Sequence, residues 1–264
     1  MQPPASTTGP ELVAAFTECF AAMSHLGHTL TDEQWETPSL CPGWTCKDAL
    51  IHVTAAELAF AGWTPSPEPP MAEITAHARE LRRRPGGQVL EAFDDVTARR
   101  LEQLRSASEA DLDAVGWSPA GQGPYRRYME IRVFDHWAHE HDIRIPLGLP
   151  ARVDGLGARM SVNEAHIAFG YLVGKRAALP DGTSATAHVT GPAGRDLHAV
   201  VEGRAKVVDR LADPTCSITT DLLTFELLCC GRIDPDGPLA DGRVTLAGDT
   251  DLAERLARNL AFTI

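Results

Sequence analysis

The sequence predicts a helical bundle followed by a smaller α+β domain. Two patterns carry that prediction. Up to about Ile143, apolar side chains recur at three- and four-residue intervals, the period of an amphipathic helix. Beyond the Pro/Gly-rich link Pro146-Leu147-Gly148-Leu149-Pro150 they recur in short alternating runs between turn residues, the period of strands. A chain of 264 residues accommodates two ordinary domains, and the change of pattern divides it into a bundle, 1–148, and an α+β domain, 149–264.

Each element has its own local reason. Leu12, Phe16, Phe20, Met23 and Leu26 trace one face of a helix from about Pro10 to Leu30. Thr31-Asp32-Glu33-Gln34 is a capping box that opens a short second turn of helix, and Thr45-Cys46-Lys47-Asp48 is a similar start signal. From it Ala49, His52, Val53, Ala56 and Phe60 form a stripe that turns His52 toward the core. A proline-rich stretch, Pro65 to Pro70, breaks the chain before a helix that is interrupted near Pro85-Gly86-Gly87 and runs on to about Ser106. The last helix of this half spans about Pro124 to Ile143, making four main helices with short connections. The second half opens with a helix from about Leu156 to Ala177. Strands follow at Thr183 to Thr190, Leu197 to Glu202 and Ala205 to Val208, with turns at Gly191-Pro192 and Gly203. A short strand at Cys216 to Thr219 leads into an apolar helix, Leu222 to Cys230, and a final strand and helix close the chain.

Composition narrows the function. A formal charge of −12 argues against a general nucleic-acid or anionic-membrane binder, since both need basic patches to meet phosphate. The expected partner is a small molecule. No N-terminal stretch joins a basic start to an apolar run, and no window approaches a membrane span, so the chain is read as cytoplasmic. The six cysteines are accordingly expected as reduced thiols; no histidine stands beside one in an arrangement that marks a nucleophile.

The residues with the most chemistry are His52 and the pair Asp135 and His139. In Phe134-Asp135-His136-Trp137-Ala138-His139 the carboxylate and imidazole are one helical turn apart, with Cβ atoms roughly 5–6 Å from each other, a natural bite for a divalent ion. A third ligand from another helix would leave coordination positions open, the pattern of catalytic rather than structural zinc. Spacing alone does not choose this set. Asp135 and His139 equally describe a surface ion pair, and His136 with Glu140 has the same i,i+4 spacing. The pattern is not HExxH. In its favour, Tyr128, Arg132, Asp135, His139 and Asp142 share one helix face, too polar to be buried without compensation, which an ion would supply.

The segment Ser39-Leu-Cys-Pro-Gly-Trp-Thr-Cys-Lys-Asp-Ala-Leu-Ile-His52 resembles the PGWT…RD…H signature of the mycothiol-dependent maleylpyruvate isomerase family, part of the DinB-like metalloprotein superfamily. Asp135-His-Trp-Ala-His-Glu-His-Asp-Ile143 is similar, in register, to that family's later helix, and the second half resembles its sterol-carrier-protein-like α+β domain. The resemblance covers nearly the whole chain and selects His52, Asp135 and His139 as ligands of a divalent metal, with zinc the expected ion, and sets aside His136 and Glu140. One departure stands out. The family usually has glutamate where this chain has Asp135, shorter by one C–C bond of about 1.5 Å; either the helix lies closer to the ion or coordination passes through water.

The resemblance also implies mycothiol, a low-molecular-weight thiol of actinobacteria, as cosubstrate. Its thiolate would attack an electrophilic small molecule. If the sulfur stays, the enzyme is an S-transferase, the reading preferred here. If it leaves after bond rotation, the enzyme is a cis-trans isomerase. A non-catalytic lipid or small-molecule carrier is the alternative of another class. Arg132 is expected to orient Asp135 or bind substrate, Arg232 to contact an acidic group, and His141 to serve as a substrate contact, acid or base; Trp44 is assigned to packing of its turn. The chain is expected as a monomer or homodimer.

Overall fold

A computed structural model describes residues 7–263. They form two compact units, one reaching to Ala151 and the other beginning at Arg152. The architecture is the expected one, a helical bundle followed by a domain built on a sheet.

In the first unit, α1 (Gly9–Gly27) is capped by Thr8, and the one-turn α2 (Asp32–Trp35) by Thr31. Thr45 caps α3 (Cys46–Phe60), its side chain accepting from Asp48 N while Asp48 returns the bond to the Thr45 backbone. The predicted interruption is a full break, leaving α4 (Met71–Leu81) and α5 (Gly86–Ser106) as separate helices. A short α6 (Glu109–Asp113) and a two-residue hairpin, β1 (Val115–Gly116) with β2 (Gly123–Pro124), lead into α7 (Tyr125–Arg144). These small elements carry no periodic signal, being too short to show one. Helix α1 packs against α5 and α7, and so does α3; going round the bundle the order is therefore α1, α5, α3, α7. The consequence for function is that α3 and α7, which carry the candidate ligands, are neighbours.

Gly86 opens α5 beneath Trp35, and a Cβ there would lie 2.3 Å from two atoms of the indole ring. Because Trp35 is itself buried, relief requires backbone movement. Gly86→Ala is expected to destabilise the protein by about 1–3 kcal/mol, the usual range for overpacking, as read from a shift of the chemical-denaturation midpoint at unchanged slope; an unchanged midpoint would show that this contact relaxes freely.

In the second unit, α8 (Gly155–Tyr171) passes into a π-helical turn, Leu172–Arg176. Then come β3 (Ser184–Thr190), β4 (Asp196–Glu202), β5 (Arg204–Val208), β6 (Cys216–Asp221), α9 (Leu222–Cys229), α10 (Asp236–Ala240), β7 (Val244–Gly248) and α11 (Thr250–Ala257). The sheet order is β5-β4-β3-β6-β7, with β3 and β6 parallel and the other neighbours antiparallel. Alternation fixes its two faces. Ala185, Ala187, Leu197, Ala199 and Ile218 are fully buried on one of them, while the cross-strand pairs Thr186–His198 and His188–Asp196 lie on the other. No helix among the described residues is long and apolar enough to cross a membrane.

Candidate metal centre

Helices α3 and α7 bring His52, Asp135 and His139 together. His52 Nε2 lies 3.4 Å from Asp135 Oδ2, His139 Nε2 lies 3.6 Å from Asp135 Oδ1, and the two imidazole rings are 4.7 Å apart. One donor atom from each residue falls within 4.8 Å of the others. The side chains of His52 and Asp135 keep 36% and 26% of their exposure, so the cluster opens to solvent on one side. The expected inward stripe thus holds for Val53 and Phe60, which are buried, whereas His52 sits at its edge.

Hydrogen bonding selects which nitrogen of His139 faces the cluster. Nδ1 lies 2.9 Å from Asp142 Oδ2, and a carboxylate only accepts, so Nδ1 donates there and Nε2 is the nitrogen that faces Asp135. Burial is the main influence on His52 and lowers its pKa despite Asp135 beside it, which keeps its ring neutral. Burial would by itself raise the Asp135 carboxyl, but Arg132, His52 and His139 outweigh it and hold the group well below the usual carboxylate range. Two imidazoles and one carboxylate make a donor set suited to a divalent ion. Ligands about 2.0–2.1 Å from a tetrahedral zinc lie roughly 3.3 Å apart, close to the spacings found here.

A second group of potential ligands, Cys41, His139 and Asp142, is buried against the first. Its atoms are at hydrogen-bonding distances: Cys41 Sγ donates to Asp142 Oδ2 at 3.0 Å, and the same oxygen accepts from His139. That arrangement orients a ligand rather than surrounding an ion. It also brings a cysteine and a histidine together that sequence spacing keeps apart, since Cys41 Sγ lies 3.8 Å from His139 Nδ1, 98 positions away in the chain. All six cysteines are free thiols.

The other candidate spacing on α7 separates. His136 Nε2 donates to Glu57 Oε1 at 3.0 Å, while Glu140 accepts from Arg144 at 2.6 Å. Trp44, assigned from sequence to its turn, lies 5.8 Å from the His139 ring in a near-parallel stack and 5.4 Å from His52, so its indole walls the cluster.

Residues 16–144 match the mycothiol maleylpyruvate isomerase N-terminal domain, and residues 159–255 match the C-terminal domain of the same family. The chain belongs to the mycothiol-dependent maleylpyruvate isomerase family. A crystal structure of the mycothiol-dependent maleylpyruvate isomerase superposes with a TM-score of 0.60 at 14% identity, covering 88% of this chain and 93% of that one. A mutant of that isomerase with one histidine replaced by alanine gives 0.62, also at 14% identity, covering 94% and 96%. At such identity the likeness is one of fold. YfiT from Bacillus subtilis, described as having an unusual four-helix bundle topology, gives 0.44 at 16% identity over 57% of this chain and 95% of that one. No curated protein is significantly similar in sequence.

The remaining candidates of this family member are placed as follows. Arg132 Nη1 donates to Asp135 Oδ2 at 2.6 Å, while its Nη2 and Nε donate to Glu57 Oε1 at 2.9 and 3.2 Å. His141 is buried, its ring centroid lies 4.0 Å from that of Trp137, and it donates from Nδ1 to the Trp137 carbonyl at 2.7 Å. Arg232, in the second unit, donates from Nη1 to the Cys230 carbonyl at 2.8 Å. Sequence reasoning missed Glu57 and Arg100. The signal was there for Glu57, an ionisable residue inside the apolar run Ala55-Ala56-Glu57-Leu58-Ala59-Phe60, where a charge needs a buried partner.

Proposed function

We propose that this protein is a metal-dependent thiol enzyme that activates mycothiol for attack on a small electrophile, with His52, Asp135 and His139 holding a zinc ion. The observation that carries the reading is the convergence of three donor atoms on a solvent-open lip, with the far nitrogen of His139 tied to Asp142. An ion in such a site lowers the pKa of a thiol, so that the thiolate is present near neutral pH. The protein's own residues do the rest. Asp135 contributes one negative charge, His52 and His139 contribute ring nitrogens, and Asp142 orients the His139 ring. Trp44 shields one side from water. Arg232 is kept as a candidate contact for an acidic substrate and His141 as a candidate acid or base, in a cytoplasmic protein of an organism that makes mycothiol.

Transfer of the thiol is preferred over its return in an isomerisation, and product analysis separates them. Mycothiol and a panel of electrophiles, maleylpyruvate included, are incubated with zinc-loaded protein and examined by mass spectrometry. A stable S-conjugate marks transfer, whereas isomerised substrate with mycothiol recovered marks isomerisation. His52→Ala is expected to lower either turnover at least 100-fold without a comparable loss of thermal stability, because the residue is partly exposed. Turnover that persists in His52→Ala would overturn the reading.

A further inference from the structure

We infer that Glu57 is a positioning residue for the candidate metal centre, one that keeps Arg132 from capturing the Asp135 carboxylate. The inference rests on the metal reading above and deepens it.

Glu57 is completely buried, and its carboxylate accepts four hydrogen bonds. Oε1 takes Arg132 Nη2, Arg132 Nε and His136 Nε2 at 2.9, 3.2 and 3.0 Å; Oε2 takes Arg100 Nε at 2.8 Å. Arg100 is anchored in turn by Gln103 Oε1 at 2.6 Å and Tyr125 Oη at 3.1 Å. The charges therefore alternate as Arg100, Glu57, Arg132, Asp135, from the core to the site, and both guanidiniums lie about 6 Å from the Phe60 ring, at 6.0 and 5.8 Å. Burial alone would raise the Glu57 carboxyl, but Arg132, the bond from His136 and Arg100 outweigh it and keep the group ionised.

The geometry at Arg132 gives this chain its purpose. An arginine beside a carboxylate prefers the two-bonded fork, in which two parallel N–H groups occupy both oxygens. Arg132 and Asp135 are three residues apart on one helix, and one bond between them, from Nη1 at 2.6 Å, is already made. They do not complete the fork: with its Nε/Nη2 edge clamped to Glu57 the guanidinium is held in an orientation from which Nη1 alone reaches Asp135, at Oδ2. Oδ1 receives no hydrogen bond among the described residues and lies on the His139 side of the cluster, 3.6 Å from Nε2. Glu57 thus reserves one Asp135 oxygen for a cation. Without the clamp, Arg132 swings onto Asp135 and competes with the metal for it.

Zinc affinity measured by competition with a chromophoric chelator tests this, with far-UV circular dichroism reporting the fold. Glu57→Gln keeps the shape of the side chain but weakens its hold on Arg132. Since it leaves Arg100 without a counter-charge, it is also made together with Arg100→Gln, which removes one charge of each sign. Affinity is expected to fall 10- to 100-fold in either background, the range found when a ligand's supporting partner is lost. Adding Arg132→Gln removes the competitor and is expected to bring affinity back to within a few-fold of wild type. A merely structural role for Glu57 would show the opposite sign, with the third substitution lowering affinity further. Either that result or unchanged affinity after Glu57→Gln overturns the inference while leaving the metal site standing. A wild-type protein that binds no zinc overturns the metal reading and this inference with it.

Discussion

His139→Ala is expected to empty the site of metal while leaving the bundle folded. Wild-type protein purified without chelator should carry close to one equivalent of divalent metal per chain, and the variant almost none. Three protein donors are the minimum seen in open zinc sites, and His139 is the one whose orientation is fixed from behind. Loss of a supporting partner alone costs 10- to 100-fold in metal affinity, so loss of the ligand should cost more than about 100-fold. The fold should survive, since Asp142 retains the Cys41 thiol as a donor at 3.0 Å and the ring belongs to a cluster that opens to solvent through His52 and Asp135. Elemental analysis beside a thermal melt checks both halves. Cys41→Ser serves as the companion: it belongs to the second ligand group and not to the first, so it should keep its metal. Full metal content in His139→Ala, or loss of metal in Cys41→Ser, would show that the ion is held elsewhere.

Glu226→Met is expected to stabilise the protein, and more so as the pH rises. Glu226 on α9 is buried, and neither carboxylate oxygen has a hydrogen-bond partner among the described residues. Burial, with Glu164 adding repulsion, pushes its pKa up to about 8 from an ordinary value of 4.5. The sign follows from proton linkage. Below the ordinary value both folded and unfolded chains carry the proton and nothing is lost. Between about 4.5 and about 8 the unfolded chain releases it while the folded chain keeps it, so stability falls with pH, and above about 8 the full penalty stays. The penalty at neutral pH is on the order of 3 kcal/mol. A methionine of similar length fills the same space and removes it. Urea titrations of wild type and variant at pH 5 and pH 8.5 should therefore diverge, with the variant ahead by on the order of 4 kcal/mol more at the higher pH. Parallel stability profiles would show that Glu226 is not the protonated acid its surroundings imply.

Much of the fold was legible because its signals are local. Thr31 and Thr45 sit three residues before a partner for a capping box, and both boxes form. The stripe Leu12, Phe16, Phe20, Met23 and Leu26 is buried along α1 as its spacing requires. The strands of the second unit lie where alternation and turn residues put them, because the strand period acts over a few residues. What escaped were α6, the β1–β2 hairpin and α10, each of five residues or fewer and too short to repeat a pattern.

The candidate site divides along the same line. Sequence by itself determined that α7 offers a carboxylate and an imidazole one turn apart, since i,i+4 placement is a property of any α-helix. It also pointed, through family resemblance, to His52 on α3 as the third donor. The resemblance chose between two equivalent spacings without a physical reason, and the tertiary structure supplies one, because the rotation of α7 in the bundle sends His136 to Glu57 and His139 to His52. The tertiary structure alone joined Glu57 to Arg100 and Arg132, 43 and 75 positions away. The reason is physical: the order of side chains around one helix is set by local geometry, whereas the partner each buried charge finds depends on how separate helices pack, and a charge in a core is tolerated only where packing supplies its counter-charge.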